Sequence, residues 1–310
     1  MFTKFALFGS VTSALTFLAP LLVAMVFLFI KRRKKTKLRT VLRVLFAPKI
    51  WLSPSVLLDF KYVIAASFVF SGIFSYLAFA DMEISDLVYV RLGAIFGTRN
   101  QVAYSGPYYI AITTLVLYIA YEFAYWLDHY LSHKIPFLWE FHKVHHSAKV
   151  LTPFTNYRVH PVDTLVFLNI VAVILGGANG VIHYAYGQEI SLAAAAGINL
   201  ILLSYMALYG HLQHSELWIP FTGLAGKIFL SPAHHQIHHS TNQRHFDKNF
   251  GGALVIFDWL FGTLYMPSKD DERVAFGIAD HPHLEHLTTS IFYPFVDSAK
   301  HIFKGVRIKI

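Results

Sequence analysis

The sequence predicts an all-α integral membrane helical bundle of four to five apolar spans, with a helical cytosolic cap carrying a histidine-rich dimetal site. Three observations predict it. Hydrophobic residues make up 55% of the 310, aromatic residues 16% and charged residues only 14%, and the mean hydropathy is +0.48, a composition far from that of a soluble domain. Several apolar stretches approach the ~20 residues a helix needs to cross a bilayer. Finally, ten of the 18 histidines fall into four groups at helical spacing.

The first apolar stretch runs from about Phe8 to Ile30 and stops at Lys31, Arg32, Arg33, Lys34 and Lys35. It is long for a signal peptide and ends in charge rather than at a small-residue cleavage site, so it reads as a retained helix. From Val41 to Leu58, mixed Arg, Lys, Trp and Leu suit a helix lying in the membrane interface. A second span covers about Tyr62 to Ala80. The third, about Pro107 to Trp126, continues directly into His129. The fourth covers about Thr164 to Tyr184, where Gly176, Gly177 and Gly180 are expected to loosen or bend it. The fifth, about Ile190 to Tyr209, runs into His211. Three regions follow: 1–106, transmembrane and interfacial; 107–265, catalytic; and 266–310, a C-terminal cytosolic segment.

Orientation follows from charge. The basic run after the first helix is expected in the cytoplasm, which puts the amino terminus outside. Counting spans from there returns residues 129–160, and everything from His211 onward, to the cytoplasmic side. All four histidine groups then share one compartment, which fits a bacterial inner membrane and an endoplasmic reticulum equally.

The groups are His129 and His133; His142, His145 and His146; His211 and His214; and His235, His238 and His239. Residues three and four apart share a helix face, so each group is expected to aim its imidazoles at a common point. Clustered imidazoles repel one another when protonated and waste packing volume when neutral, which a metal would explain and ordinary core packing would not. Ten donors are too many for one ion. They imply two, with about five nitrogens each or fewer if some lie behind the ligands. The chain has no cysteine, so thiolate zinc sites, thiolate-ligated haem and iron–sulfur clusters are excluded.

Hydrolysis is disfavoured. The HExxH signature is absent, His283-Leu284-Glu285-His286 does not supply it, and carboxylates beside the histidines are few. Asp128 is the nearest and reads as an orienting partner for a ligand ring; Glu122, Asp163 and Asp258 are further candidates for that role. Tyr125, Trp126, Phe141, Tyr157 and Trp218 are expected to line a lipid path or to anchor the interface.

The order HxxxH, HxxHH, a middle His pair, then Ser231-Pro232 leading into His235, His238 and His239, followed by Asn249-Phe250-Gly251-Gly252 and Phe261-Gly262-Thr263, resembles the fatty acid hydroxylase superfamily over roughly residues 110–265. That superfamily includes sterol desaturases and lipid hydroxylases. The resemblance implies a membrane diiron enzyme that uses O2 and two electrons to hydroxylate or desaturate a lipid such as a sterol or fatty acyl chain. It makes His129, His133, His142, His145, His146, His214, His235, His238 and His239 the metal ligands, with His211 in a position filled less uniformly. His234 and His160 are expected behind the ligands. No nucleotide-binding loop is visible, so a separate electron-transfer protein and reductase are implied.

The net charge of +8 suits anionic lipid headgroups over Lys31 to Arg39, and either lipid or an acidic redox partner at Lys143 and Lys149. Nucleic acid is disfavoured for so apolar a chain. The rival reading is a membrane zinc or iron transporter or sensor, which calls for histidines at mid-span rather than after the spans.

Overall fold

The computed structural model describes residues 11–31, 37–70, 81–98, 106–187, 194–195, 198–270, 272 and 274–303. Arg32 to Lys35 of the basic run, the second half of the expected Tyr62–Ala80 span and most of the connection before Leu200 lie outside them.

Helix α1 (Val11–Lys31) is followed by two short helices, α2 (Leu38–Leu45) and α3 (Pro48–Trp51). Helix α4 (Pro54–Ala65) begins at Ser53, whose hydroxyl caps the Val56 amide, and continues as a π-helical turn, Ala66–Phe70. The pair 38–51 and 54–68 bends by 84°, so the chain turns sharply between them. Helix α5 (Asp81–Phe96), for which the apolar pattern gave no sign, leads to the long α6 (Pro107–Lys134). Pro107 suits a first helical turn, where no amide partner is lost. Ile135, held extended before Pro136, ends α6, and Pro136 then opens α7 (Pro136–His146). A 3₁₀ turn (Pro153–Tyr157) precedes α8 (Pro161–Tyr186), which ends on Gly187 in the left-handed conformation.

Beyond it lie a two-residue β1–β2 pairing (Ala194–Ala195, Ile198–Asn199), α9 (Leu200–Leu208), a 3₁₀ turn (Gly210–Leu212), α10 (Gly223–Ile228), α11 (Pro232–His238), α12 (Ile256–Leu260) and α13 (Leu287–Phe303). Pro232 does open a helix. Ser231 and His234 form a reciprocal capping box around it.

Among the described residues two helices, α6 and α8, are long and apolar enough to cross a membrane, and the bent pair makes up to three. Helices α6 and α8 carry the third and fourth expected spans, while parts of the first and second lie outside the described residues. Among the described residues of the fifth stretch, nine are helical in α9, about 14 Å at 1.5 Å per residue against a hydrocarbon core of about 30 Å.

The glycines of α8 do not loosen it: the helix is unbroken from Pro161 to Tyr186. They admit α5 instead. A Cβ on Gly176 would lie 2.6 Å from the Asp81 carbonyl oxygen, and one on Gly180 2.5 Å from that of Ser85, whereas Gly177 faces open space. This is the small-xxx-small spacing that lets helix backbones approach closely.

Two polar ties set the site's outer frame. The Arg158 guanidinium, 2% exposed, donates from Nε to Asp59 Oδ1 of α4 at 2.6 Å and also reaches Ser55 and Ser147. On the other side α13 packs along α7. There the buried Lys143 pairs with Glu140 and Asp297, while Lys149 pairs with Glu285 at 2.5 Å. Both lysines thus meet acidic groups of this chain itself.

Candidate metal centre

Nine of the ten predicted imidazoles converge. They form two groups, His129, His133, His142, His146 and His238 in one and His145, His214, His235 and His239 in the other, with the candidate donor atoms of each group all within 4.8 Å of one another. The groups adjoin, since the His146 and His239 rings stack at 4.5 Å between centroids.

The HxxHH segments do not each serve one point, as their spacing alone suggested. Each gives its first and last histidine to one group and its middle one to the other: His142 and His146 against His145, then His235 and His239 against His238. The helix explains the split. Consecutive side chains diverge by about 100°, while those four apart nearly eclipse. Two such helices therefore interleave.

Outer partners fix the ring orientations. His129 Nδ1 donates to the Phe250 carbonyl at 2.8 Å, His238 Nδ1 to that of Lys248 at 2.8 Å and His145 Nδ1 to that of Arg158 at 3.3 Å. His142 Nδ1 donates to Asp163 Oδ2 at 3.1 Å. A carbonyl or carboxylate can only accept, so each of these rings carries its proton on Nδ1 and turns an Nε2 lone pair inward.

The inward atoms are close. His146 Nε2 lies 3.1 Å from that of His133 and 3.2 Å from those of His142 and His238. In the second group His214 Nε2 lies 3.0 Å from that of His145 and 2.9 Å from that of His235, which is 3.1 Å from that of His239. Converging lone pairs at this separation repel unless a cation sits among them. Two nitrogens held about 2.1 Å from one ion at right angles would be about 3.0 Å apart. The donor set therefore fits two metal ions.

Protonation is suppressed here. Burial, reinforced by neighbouring imidazoles, holds His146, His235, His238 and His239 well below the ordinary histidine value, which keeps the rings neutral and able to ligate.

The Asn249–Gly252 segment now has a structural account. Asn249, at φ +59, receives the Tyr265 amide on its side chain and donates to the His234 carbonyl. Asp258 accepts the Phe250 and Gly251 amides, each at 2.8 Å, together with the Thr263 hydroxyl and the Trp126 indole. A Cβ on Gly251 would lie 2.0 Å from the Leu254 carbonyl oxygen. Glu122 accepts the Ala253 and Leu254 amides. These carboxylates hold the loop whose Phe250 carbonyl orients His129. Burial raises the Asp258 carboxyl, and the bonds it accepts oppose that rise.

The remaining predicted residues fall elsewhere. His211 belongs to neither group and lines a separate, apolar cavity of about 350 Å³ with Leu21, Trp51 and Phe154. His160 caps α8 through Val162 N and holds the Ile291 carbonyl of α13 at 2.9 Å. His234, pushed down to about 4 by burial, caps α11 through Ser231. Asp128 borders a cavity beside the first group. Trp126 packs on Phe261, Phe141 on His160 and Trp218 on Ala233 and Ile237, all inside the protein.

Sequence reasoning missed Asp247. It lies 3.6 Å from His133 Nδ1 and 2.5 Å from Lys134 Nζ, and those contacts pull its carboxyl down to about 2. No spacing rule pointed to it.

A cavity of about 80 Å³ adjoins the imidazoles, bordered by His129 and His142 of the first group and His145 of the second. Asp128, Asn156, Tyr157 and Thr164 also face it, with Ala66, Tyr125 and Phe167.

The fatty acid hydroxylase family matches residues 114–263. Among curated proteins, alkylglycerol monooxygenase of Homo sapiens is 24% identical over 206 residues, 66% of this chain and 40% of that protein. Ornithine lipid hydroxylase OlsE of Rhizobium tropici is 30% identical over 148 residues, 48% of this chain and 40% of that one. A very-long-chain aldehyde decarbonylase of Oryza sativa subsp. indica is 26% identical over 203 residues, 60% of this chain and 30% of its own length. The chain thus spans less than half the length of these relatives. No solved structure matches it. The matched region contains all nine converging histidines together with the loop and carboxylates that orient them, so the likeness to the fatty acid hydroxylase family rests on the residues that build the centre.

Proposed function

We propose that the protein is a membrane-bound lipid hydroxylase with a non-haem diiron centre, consuming O2 and two external electrons per turnover. The observation that carries this reading is the pair of adjoining all-imidazole groups, both bordering one cavity. The balance is RH + O2 + 2e⁻ + 2H⁺ → ROH + H2O. Iron suits the donor set because it accepts five or six ligands and nitrogen donors, and when bound it supplies the O2 chemistry. The nine imidazoles would hold it, and Asp163, Asp247 and the Phe250, Lys248 and Arg158 carbonyls keep their rings aimed.

The protein's own residues do the rest. Ala66, Tyr125 and Phe167 offer an apolar border through which a lipid enters sideways from the bilayer. Buried rings around the cavity exclude bulk water from the reacting carbon. The relatives' names, a monooxygenase and a lipid hydroxylase, support the class of reaction. A separate electron carrier and reductase supply the electrons. The metal centre is assigned to the cytoplasmic face, on the charge of the Lys31–Arg39 stretch. Transport is not favoured, because the donors close into one cluster instead of spacing along a path.

The test is lipid profiling of cells with and without the chain, under ¹⁸O2. Lipids gaining one heavy oxygen support hydroxylation. A loss of two hydrogens without oxygen would assign desaturation instead, and unchanged lipids with reversibly exchanging zinc would sink the reading.

A further inference from the structure

We propose that α13 is a lipid-seated brace: its outer face lies among acyl chains at the membrane interface, and its inner face holds α7, which carries three of the nine converging imidazoles. The C-terminal stretch 266–310, expected from sequence in the cytosol, thus returns to the membrane, whatever reaction the centre performs. Two observations carry it.

The first is that α13 is built inside out. Ser290, Pro294 and Ser298, four apart and therefore on one face of the helix, are buried against the protein. On that side Ser290 Oγ shares a 2.8 Å hydrogen bond with Tyr62 Oη of α4. Lys143 Nζ of α7 donates to Asp297 Oδ2 at 3.3 Å, and His301 Nε2 donates to Glu140 Oε1 of α7 at 3.0 Å. The outer face carries Phe292, Val296, Ile302 and Phe303, each more than half exposed. A surface helix bathed in water has the reverse arrangement. Polar groups turned inward are stable here because they are paired, whereas a run of large apolar side chains turned outward calls for apolar surroundings.

The second is where the helix sits. Ile291 packs with Ala65 and Ala66, at the end of α4, and with Leu165 and Leu168 of α8. Those leucines lie four and seven residues past Pro161, about 6 and 10.5 Å along a membrane-crossing helix. An interfacial helix buries its apolar face to a similar depth, about 5–10 Å. Ile64 and Phe68, which flank Ala65 and Ala66 in the chain, are likewise exposed. With 17 residues α13 is about 25 Å long, short of the ~30 Å hydrocarbon core, so it lies in the interface and does not cross. Charge favours lipid as the occupant, because the sequence continues through Lys304, Arg307 and Lys309, a basic tail suited to anionic headgroups.

The chain has no cysteine, so single-cysteine variants each take one nitroxide label. Full-length protein with Phe292→Cys, Val296→Cys or Phe303→Cys is reconstituted in nanodiscs of phosphatidylcholine and phosphatidylglycerol. Relaxation by oxygen, which concentrates in lipid, is compared with relaxation by a water-soluble nickel chelate. Val181→Cys, exposed on α8, marks lipid, and Asp270→Cys, exposed outside the helices, marks water. The three α13 labels are expected to match the lipid marker. Labels matching the water marker would overturn the inference. Labels shielded from both reagents, with spin–spin broadening that vanishes on dilution into unlabelled protein, would overturn it in favour of a second copy of the chain.

Hydrogen exchange in the same nanodiscs tests the bracing. The double variant Phe292→Glu/Val296→Glu should speed amide exchange about tenfold in both α13 and α7, while Phe292→Leu/Val296→Leu, which keeps the face apolar, should exchange at the wild-type rate. Faster exchange confined to α13 would show that this helix does not hold α7 and would overturn the brace.

Discussion

At the scale of single residues, the centre depends on the partners that sit behind the ligand rings. Asp163 is the clearest case, since its carboxylate both fixes the His142 tautomer and raises the basicity of that ring. Asp163→Asn is expected to lower metal affinity about 10–100-fold with the helical content unchanged, read by metal competition against a graded chelator. Affinity equal to wild type would show that the contact is incidental. Asp163 was legible as a candidate in the sequence because acids near histidines are few. Asp247 was not. Its contact to His133 arises from a left-handed residue in a loop eight positions beyond the last HxxHH histidine, and loops carry no periodicity to read.

At the scale of elements, the two imidazole groups are unequal. The first has five rings, with carboxylates behind His133 and His142 and carbonyls behind His129 and His238. The second has four rings, and the Nδ1 atoms of His235 and His239 are buried without a hydrogen-bond partner among the described residues. Dialysis against a chelator should therefore remove metal in two steps, with a plateau near one ion per chain. A single cooperative loss in metal analysis would refute the inequality.

The α5–α8 contact makes a separate prediction about packing. Gly180→Leu should lower the thermal midpoint in detergent by forcing the backbones apart, at about 1–3 kcal/mol or more, whereas Gly177→Ala, which meets nothing within 4 Å, should be neutral or stabilising. Equal effects would show that α5 does not dock there. The glycines were visible in the sequence, but their partner was not. Helix α5 carries Asp81, Glu83, Asp86 and Arg91, so hydropathy passes it over, and a helix-breaking role was the only local reading left.

For the whole molecule, acidity should act through the buried rings. His146, His235, His238 and His239 have values depressed below that of an unfolded histidine, so below about pH 6.5 the unfolded chain binds more protons than the folded one. The stability they confer on the metal-free protein is present above that pH and declines as the pH falls through it. Chemical unfolding between pH 8 and pH 5 should show this decline, and a flat profile would contradict the neutral assignment. Composition and spacing disclosed the membrane class, the all-helical character and nine of the converging rings, because those depend on local periodicity. The docking of α5 on α8, and the division of donors between two groups, depend on how distant helices approach one another. A gene fragment ending before Ser231 would retain α6 and α7, yet would strip His238 from one group and both His235 and His239 from the other. Trimming there breaches both groups at once, leaving four imidazoles in the first and two in the second, because the two histidine helices are interlocked like the fingers of clasped hands.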